Sequence, residues 1–192
     1  MNIKIFFGLL AIVTSLSGYA FYMRSLYRGE IKPHAFSWFI WGVLTLIGFS
    51  VQFIEHAGPS AWAYGVSGLL CLFIFFIALK KGEKNIVFVD WLSLLAAGIS
   101  LLLWYLTNNP LATVLIITGI DFCGFFPTIR KSYFKPHEEN LTVYFMCGLA
   151  YLFTLFAIEN YIFVTYFYPA ALVVFNWLFV LMLFVRRKQL QK

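Results

Sequence analysis

The chain has 192 residues, of which 62% are hydrophobic and only 11% charged, with a formal net charge of +6 and a mean hydropathy of +0.85. A soluble domain carries about a quarter charged residues, so this composition excludes one and indicates a polytopic membrane protein. Cys71, Cys123 and Cys147 all fall inside apolar segments, where they suit small packing groups. Neither Cys nor His shows metal-ligand spacing, and no disulfide framework, metal or cofactor is implied.

Apolar segments, each near the ~20 residues that span a bilayer, follow one another along the chain. The first, 5–23, lacks a small-residue cleavage pattern ahead of a polar domain, so it reads as a helix and not as a signal peptide. The second, 36–54, ends on Gln52 and is followed by Glu55. Trp38, Trp41, Trp62 and Tyr64 lie near the ends of the second and third segments and suit an interfacial aromatic belt, with one or two rings stacked on a sugar or nucleoside as the alternative. The third, 61–79, ends on Lys80 and Lys81. The fourth, 86–106, carries Asp90 near that same end, within reach of Lys80, Lys81 or Lys84 as partner. Thr107-Asn-Asn-Pro110 is so short that the fourth and fifth helices must be neighbours. The fifth, 111–129, contains Asp121, Gly124 and Pro127. The sixth, 141–158, precedes Glu159, and the seventh, 162–185, contains Asn176 and Trp177. His34, His56 and His137 fall at loop or interface positions and read as titratable surface groups.

The basic residues fix an orientation. Arg24, Arg28 and Lys32, then Lys80, Lys81 and Lys84, then Arg130, Lys131 and Lys135, and finally Arg186, Arg187, Lys188 and Lys192 all fall on one side. Of the 14 Lys and Arg residues, Lys4 alone falls on the other. The positive-inside rule then puts the N-terminus outside and the C-terminus in the cytoplasm of a cell (inner) membrane. This asymmetry accounts for the net positive charge without invoking nucleic acid.

Asp121 stands out within this plan. A carboxylate at bilayer depth costs roughly 2.5–3.5 kcal/mol on insertion scales, so intramembrane acids are read as functional. Pro127, six residues on, removes a helical hydrogen bond that only packed neighbours or water replace. Asp121 is a candidate for binding a solute or a proton, with Gly124 and Pro127 as a hinge. Asn176 would be costly against lipid; with Trp177 and Gln52 it joins the candidate set for the solute. The alternative for Asp121 and Asn176 is a hydrogen bond to a neighbouring helix.

The chain also repeats itself. Phe21-Tyr-Met-Arg-Ser-Leu-Tyr27 aligns with Pro127-Thr-Ile-Arg-Lys-Ser-Tyr133, and the same offset matches Gly18 to Gly124. Lys32-Pro-His34 then aligns with Lys135-Pro-His137, and Phe49 to Glu55 with Phe153 to Glu159. The matches run in one order along three helices, which gives a bundle over 1–81, a linker helix over 82–108 and a second bundle over 109–192. An odd linker makes the copies parallel, and parallel repeats about an axis along the membrane normal form one class of transporters.

On these features the chain resembles the SWEET/PQ-loop superfamily. Pro127-Thr128, followed by Arg130-Lys131, looks like the Pro-Gln or Pro-Thr element of such proteins; Phe21-Tyr22 stands in its place in the first copy. Asp121-Phe-Cys-Gly124 looks like the Asp-Phe-x-Gly of cystinosin-type members, where the acid is linked to proton-coupled export. PnuC-type vitamin transporters share the plan and use Trp and Asn around a nucleoside, which resembles Phe175-Asn-Trp177. The resemblance implies an all-α, seven-helix, 3+1+3 transporter of a sugar-, nucleoside- or amino-acid-sized solute. It would work by alternating access, with protons and lipid as further partners and with homo-oligomers compatible. A non-transporting receptor or scaffold on the same fold is the alternative. No paired intramembrane carboxylates or His cluster supports an enzyme, and the seventh segment has no Lys for a retinal Schiff base.

The orientation gives a direct expectation. Single cysteines introduced as Asn109→Cys and Asn160→Cys should react with an impermeant thiol reagent from outside intact cells, and Lys84→Cys only after lysis. Outside labelling at position 84 would overturn the orientation.

Overall fold

A backbone in hydrocarbon must satisfy its own N–H and C=O groups, and an α-helix does so within one segment. In the computed structural model, which describes residues 2–107 and 109–190, each apolar segment forms one such helix. These are α1 Ile3–Tyr27, α2 Ala35–Ile54, α3 Ser60–Lys81, α4 Phe88–Thr107, α5 Pro110–Phe134, α6 Leu141–Ala157 and α7 Phe163–Leu190. Asn108 of the short fourth-to-fifth connection and Lys192 of the closing basic cluster lie outside the described residues. No strand occurs among the described residues. Helices α1, α2, α3, α5 and α7 are long and apolar enough to cross a membrane; α6 is apolar but shorter, at 17 residues.

Local chemistry sets the ends. Asn2, Asn109 and Asn140 each cap a helix, their side-chain oxygens accepting first-turn N–H groups of α1, α5 and α6. Pro110 follows Asn109 at the first turn of α5, where its missing N–H costs nothing. The start of α4 lies two residues later than the segment suggests. Asp90 Oδ2 accepts the Val87 N–H at 2.9 Å, so the acid is spent on opening the helix. Helices α1, α3, α5 and α7 carry basic residues in their last turns, and α2, α4 and α6 do not. Cations there complement the negative end of the helix dipole. Helices α5 and α7 also run past the predicted ends, to Phe134 and Leu190, carrying those cations outward.

Six helices close a ring in the order α1–α3–α2–α5–α7–α6. Helix α4 stands outside it, against α5 and more lightly against α2. Replacing each ring helix by the one four places along turns every ring contact into another ring contact: α1–α6 becomes α5–α2, α1–α3 becomes α5–α7, and α2–α3 becomes α6–α7. The contacts across the ring, α3–α6 and α7–α2, exchange in the same way.

Two glycines set the spacing of the ring. A Cβ on Gly18 would stand 2.7 Å from Met146 Cβ at the α1–α6 contact, and one on Gly124 would stand 2.9 Å from Ile40 Cγ2 at the α5–α2 contact. Small residues let helix backbones approach in lipid, where van der Waals packing takes over from the hydrophobic effect. Gly124→Val is therefore expected to destabilise the purified protein by about 1–3 kcal/mol, the usual range for overpacking. Gly119→Ala is the control, because a Cβ there meets nothing within 4 Å. Thermal unfolding in detergent that ranks the two variants equally would refute this account of the contact.

Candidate functional site

The ring encloses a cavity at its centre, and all six ring helices line it. Tyr19 comes from α1, Trp38, Trp41 and Thr45 from α2, and Cys71 from α3. Asp121 and Phe125 come from α5; Val143, Tyr144, Cys147 and Tyr151 from α6; Leu172 and Asn176 from α7. Among the described residues, helix α4 contributes none. The space for water centres is about 40 Å³, and one water needs roughly 10–15 Å³ by that measure. The cavity thus admits a few water-sized groups.

Asp121 is the one formally charged group in the lining, and it is 1% exposed. The Tyr168 hydroxyl donates to its Oδ1 at 3.0 Å, whereas its Oδ2 has no partner. Tyr168 is held from behind by Tyr64, whose ring stacks on it at 5.8 Å. Gly48 leaves room for the Tyr168 ring, which a Cβ there would meet at 2.7 Å. One carboxylate oxygen is therefore fixed by a clamped phenol and the other is left to the cavity. A buried acceptor without a partner is expensive in a protein interior.

Aromatic rings make most of the remaining wall. Trp41 meets Phe125 at 4.7 Å, Tyr144 at 6.0 Å and Trp38 at 5.4 Å between ring centroids. The Trp41 indole nitrogen and the Tyr144 hydroxyl are buried without partners. The belt reading of Trp38, Trp41 and Tyr64 is corrected here: their exposures are 2%, 7% and 0%. Position near a helix end carries no information on which face looks inward, and these three side chains turn into the ring.

The predicted site residues separate. Asp121 and Asn176 both line the cavity, although the Asn176 amide also donates to Leu172 O at 2.8 Å. Gly124 packs behind the wall, against α2. Pro127 is buried within an uninterrupted α5. Trp177 is not in the lining: its indole crosses Gly148 and stacks over Phe145 on the flank of α6. Gln52 also lies outside the lining, with Nε2 donating to Thr165 O at 2.6 Å and Oε1 accepting from Ser60 Oγ at 3.0 Å. Tyr168, Thr45 and the α6 residues were not singled out in the sequence. Their signal was present in the spacing: Trp38, Trp41, Thr45 and Tyr144, Cys147, Tyr151 each follow a 3,4 step that places them on one helix face.

Polar contacts tie the helices together at both ends of the ring. At the end opposite the basic loops, besides Gln52, the Glu159 N–H donates to Ala57 O at 3.0 Å and the Asn160 amide to Glu55 O at 2.9 Å. At the basic end, Asp90 pairs with Arg130 at 2.9 Å and with His34 Nε2 at 3.2 Å. This replaces the lysine partners expected for Asp90; Lys84 instead donates to Leu79 O. His34, expected on the surface, is fully buried. Burial pushes its imidazole below the usual pKa, against the opposing pull of Asp90. Glu83 meets Lys135 at 3.3 Å and Lys32 meets Glu138 at 3.4 Å. Lys131 and Glu139 form a buried pair at 2.7 Å, and Lys131 also donates to the carbonyls of Lys32 and Glu138.

The chain matches no family model, no curated protein and no solved structure. No group of His, Cys, Asp and Glu able to hold a metal ion occurs among the described residues.

Removing one half of a buried ion pair leaves the other uncompensated, at about 3–5 kcal/mol. Glu139→Gln should therefore lower the unfolding midpoint strongly. The double variant Lys131→Met with Glu139→Gln should recover much of the loss. A double variant as unstable as the sum of its singles would show that the pair is not coupled.

Proposed function

We propose that this protein is a small-solute membrane transporter that works by alternating access between two three-helix bundles, 1–81 and 109–192, with α4 as the linker. One observation carries the reading. A cavity at the centre of the ring is lined by every ring helix, and it holds a buried carboxylate with one unpartnered oxygen. The exchange of all ring contacts under a four-place shift supports a parallel 3+1+3 repeat of the SWEET/PQ-loop type. So does the use of Gly18 and Gly124 at corresponding contacts. The basic last turns of the odd-numbered helices support an N-terminus outside and a C-terminus in the cytoplasm.

In this reading the bundles meet through α1–α6 and α2–α5. Rocking about the glycine contacts opens one end while the other stays closed. Opening the basic end separates Lys32 from Glu138 and Lys131 from the Lys32 carbonyl. Opening the opposite end separates Gln52 from Thr165 and the Ala57 loop from Glu159. Pro127 leaves a helical carbonyl of α5 without its usual donor, which makes that helix easier to bend.

Asp121 is assigned the coupling role, taking up a proton in one state and releasing it in the other. The test is Asp121→Asn in liposomes, with a labelled sugar, nucleoside or amino acid first shown to stabilise the purified protein. Accumulation driven by a pH gradient should be lost. Gradient-driven accumulation that survives would remove Asp121 from coupling. Loss of simple exchange as well would show that Asp121 also touches the solute. Ligand binding in detergent with no flux of any solute would replace the transporter by a receptor on the same fold.

A further inference from the structure

We infer that the central cavity recognises a small organic monocation, a protonated amine carrying one hydrogen-bond acceptor. The inference deepens the transporter reading and rests on its placing of the solute in the central cavity.

The charge argument comes first. Asp121 is the single formally charged residue in the lining, and it forms no ion pair among the described residues. The cations one would look to are occupied elsewhere: Arg130 holds Asp90, and Lys131 holds Glu139. A buried carboxylate lining a cavity without a protein counter-ion accommodates one positive charge, brought by a proton or by a ligand. An anionic ligand would set two negative groups together in that space. A neutral polyol would leave the carboxylate without a counter-charge.

The wall argument is independent of it. Tyr19, Trp38, Trp41, Phe125, Tyr144 and Tyr151 surround the same space. Aromatic faces attract cations through their quadrupoles, most strongly where both are desolvated. Three donors of the wall are unpartnered, the Trp38 and Trp41 indole N–H groups and the Tyr144 hydroxyl, and an acceptor atom on the ligand would serve them. Asp121 Oδ2 accepts from the ammonium, and Tyr168 keeps Oδ1 oriented. A cavity with room for about three waters favours a two-carbon amino alcohol over a nucleoside or a disaccharide.

The same site predicts competition between amine and proton. The titratable groups around Asp121 among the described residues are Tyr19 on α1, Tyr64 and Cys71 on α3, Tyr144, Cys147 and Tyr151 on α6, and Tyr168 on α7. Neither α2 nor α4 supplies one. All of these are neutral phenols or thiols at neutral pH, so none supplies the positive charge. One proton or one ammonium fills the role, and binding of the amine displaces the proton.

The test compares ligands of one size and different charge on the purified full chain at fixed pH. Ethanolamine should stabilise the protein saturably. Ethylene glycol, its neutral counterpart, and glycolate, its anionic one, should bind at least about tenfold more weakly, since hydrogen bonds to charged groups exceed neutral ones by that order. Asp121→Asn should abolish the preference for ethanolamine, whereas Tyr168→Phe, which keeps the carboxylate, should retain it. Equal stabilisation by ethanolamine and ethylene glycol overturns the inference on the wild-type protein alone, so an unfolded Asp121→Asn variant does not shield it. A preference for ethanolamine that persists in folded Asp121→Asn overturns it too. Flux of a neutral solute with no amine binding removes this inference and leaves the transporter reading standing. Ethanolamine binding with no flux of any solute does the reverse.

Discussion

The approach of two helix pairs holds this molecule together. Helices α1 and α6 meet at Gly18, and α5 and α2 meet at Gly124, with no space for a methyl group at either point. Lipid tails are as apolar as leucine, so helices in a bilayer gain little by hiding apolar surface from one another. They associate where backbones come close enough for dense packing. These two contacts, α1–α6 and α2–α5, are both part of the ring that surrounds Asp121. Wider separation would open the wall of the cavity and expose Asp121 to lipid.

At that centre the structure keeps groups it has not satisfied. Asp121 Oδ2, the Trp41 indole nitrogen and the Tyr144 hydroxyl are all buried without partners. Buried polar groups are nearly always paired, so each exception needs an explanation. Those of the lining share one small space, and in the proposed reading a ligand completes them. Tyr64, Tyr168 and Gly48 have a different task, because they pin one oxygen of the acid so that the other is presented in a defined direction.

The two ends of the ring are tied together by different chemistry. The basic end uses charge, with Asp90, Arg130 and His34 on one side of α5 and Lys131, Glu139 and the Arg187 contacts to Pro136 and Glu139 carbonyls on the other. The opposite end uses neutral hydrogen bonds among Gln52, Ser60 and Thr165 and between the 55–59 and 158–162 loops. Net contributions from neutral hydrogen bonds are about 1 kcal/mol each, whereas breaking one partner out of a buried ion pair costs several times more. In the proposed cycle the Lys131–Glu139 pair stays within one bundle, and opening the basic end breaks the Lys32–Glu138 pair and the Lys131 bond to the Lys32 carbonyl.

The sequence by itself determined the class, the number of helices and the identity of the central acid. Hydropathy reports the cost of exposing each segment to water, and a lone carboxylate in an apolar run is conspicuous whatever surrounds it. Gly18 and Gly124 were also visible, through their matching places in the two halves. Only the tertiary structure decided which face of each helix points inward. Trp38, Trp41 and Tyr64 lie near segment ends and look interfacial in one dimension, yet they turn into the core. Trp177 stands next to Asn176 and turns away, because neighbours on a helix point about 100° apart. Pairing was also beyond the sequence. Asp90 is close to Lys84 in the chain, but the fold brings Arg130 and His34 to it from α5 and the start of α2, since partners are chosen by helix packing and not by distance along the chain.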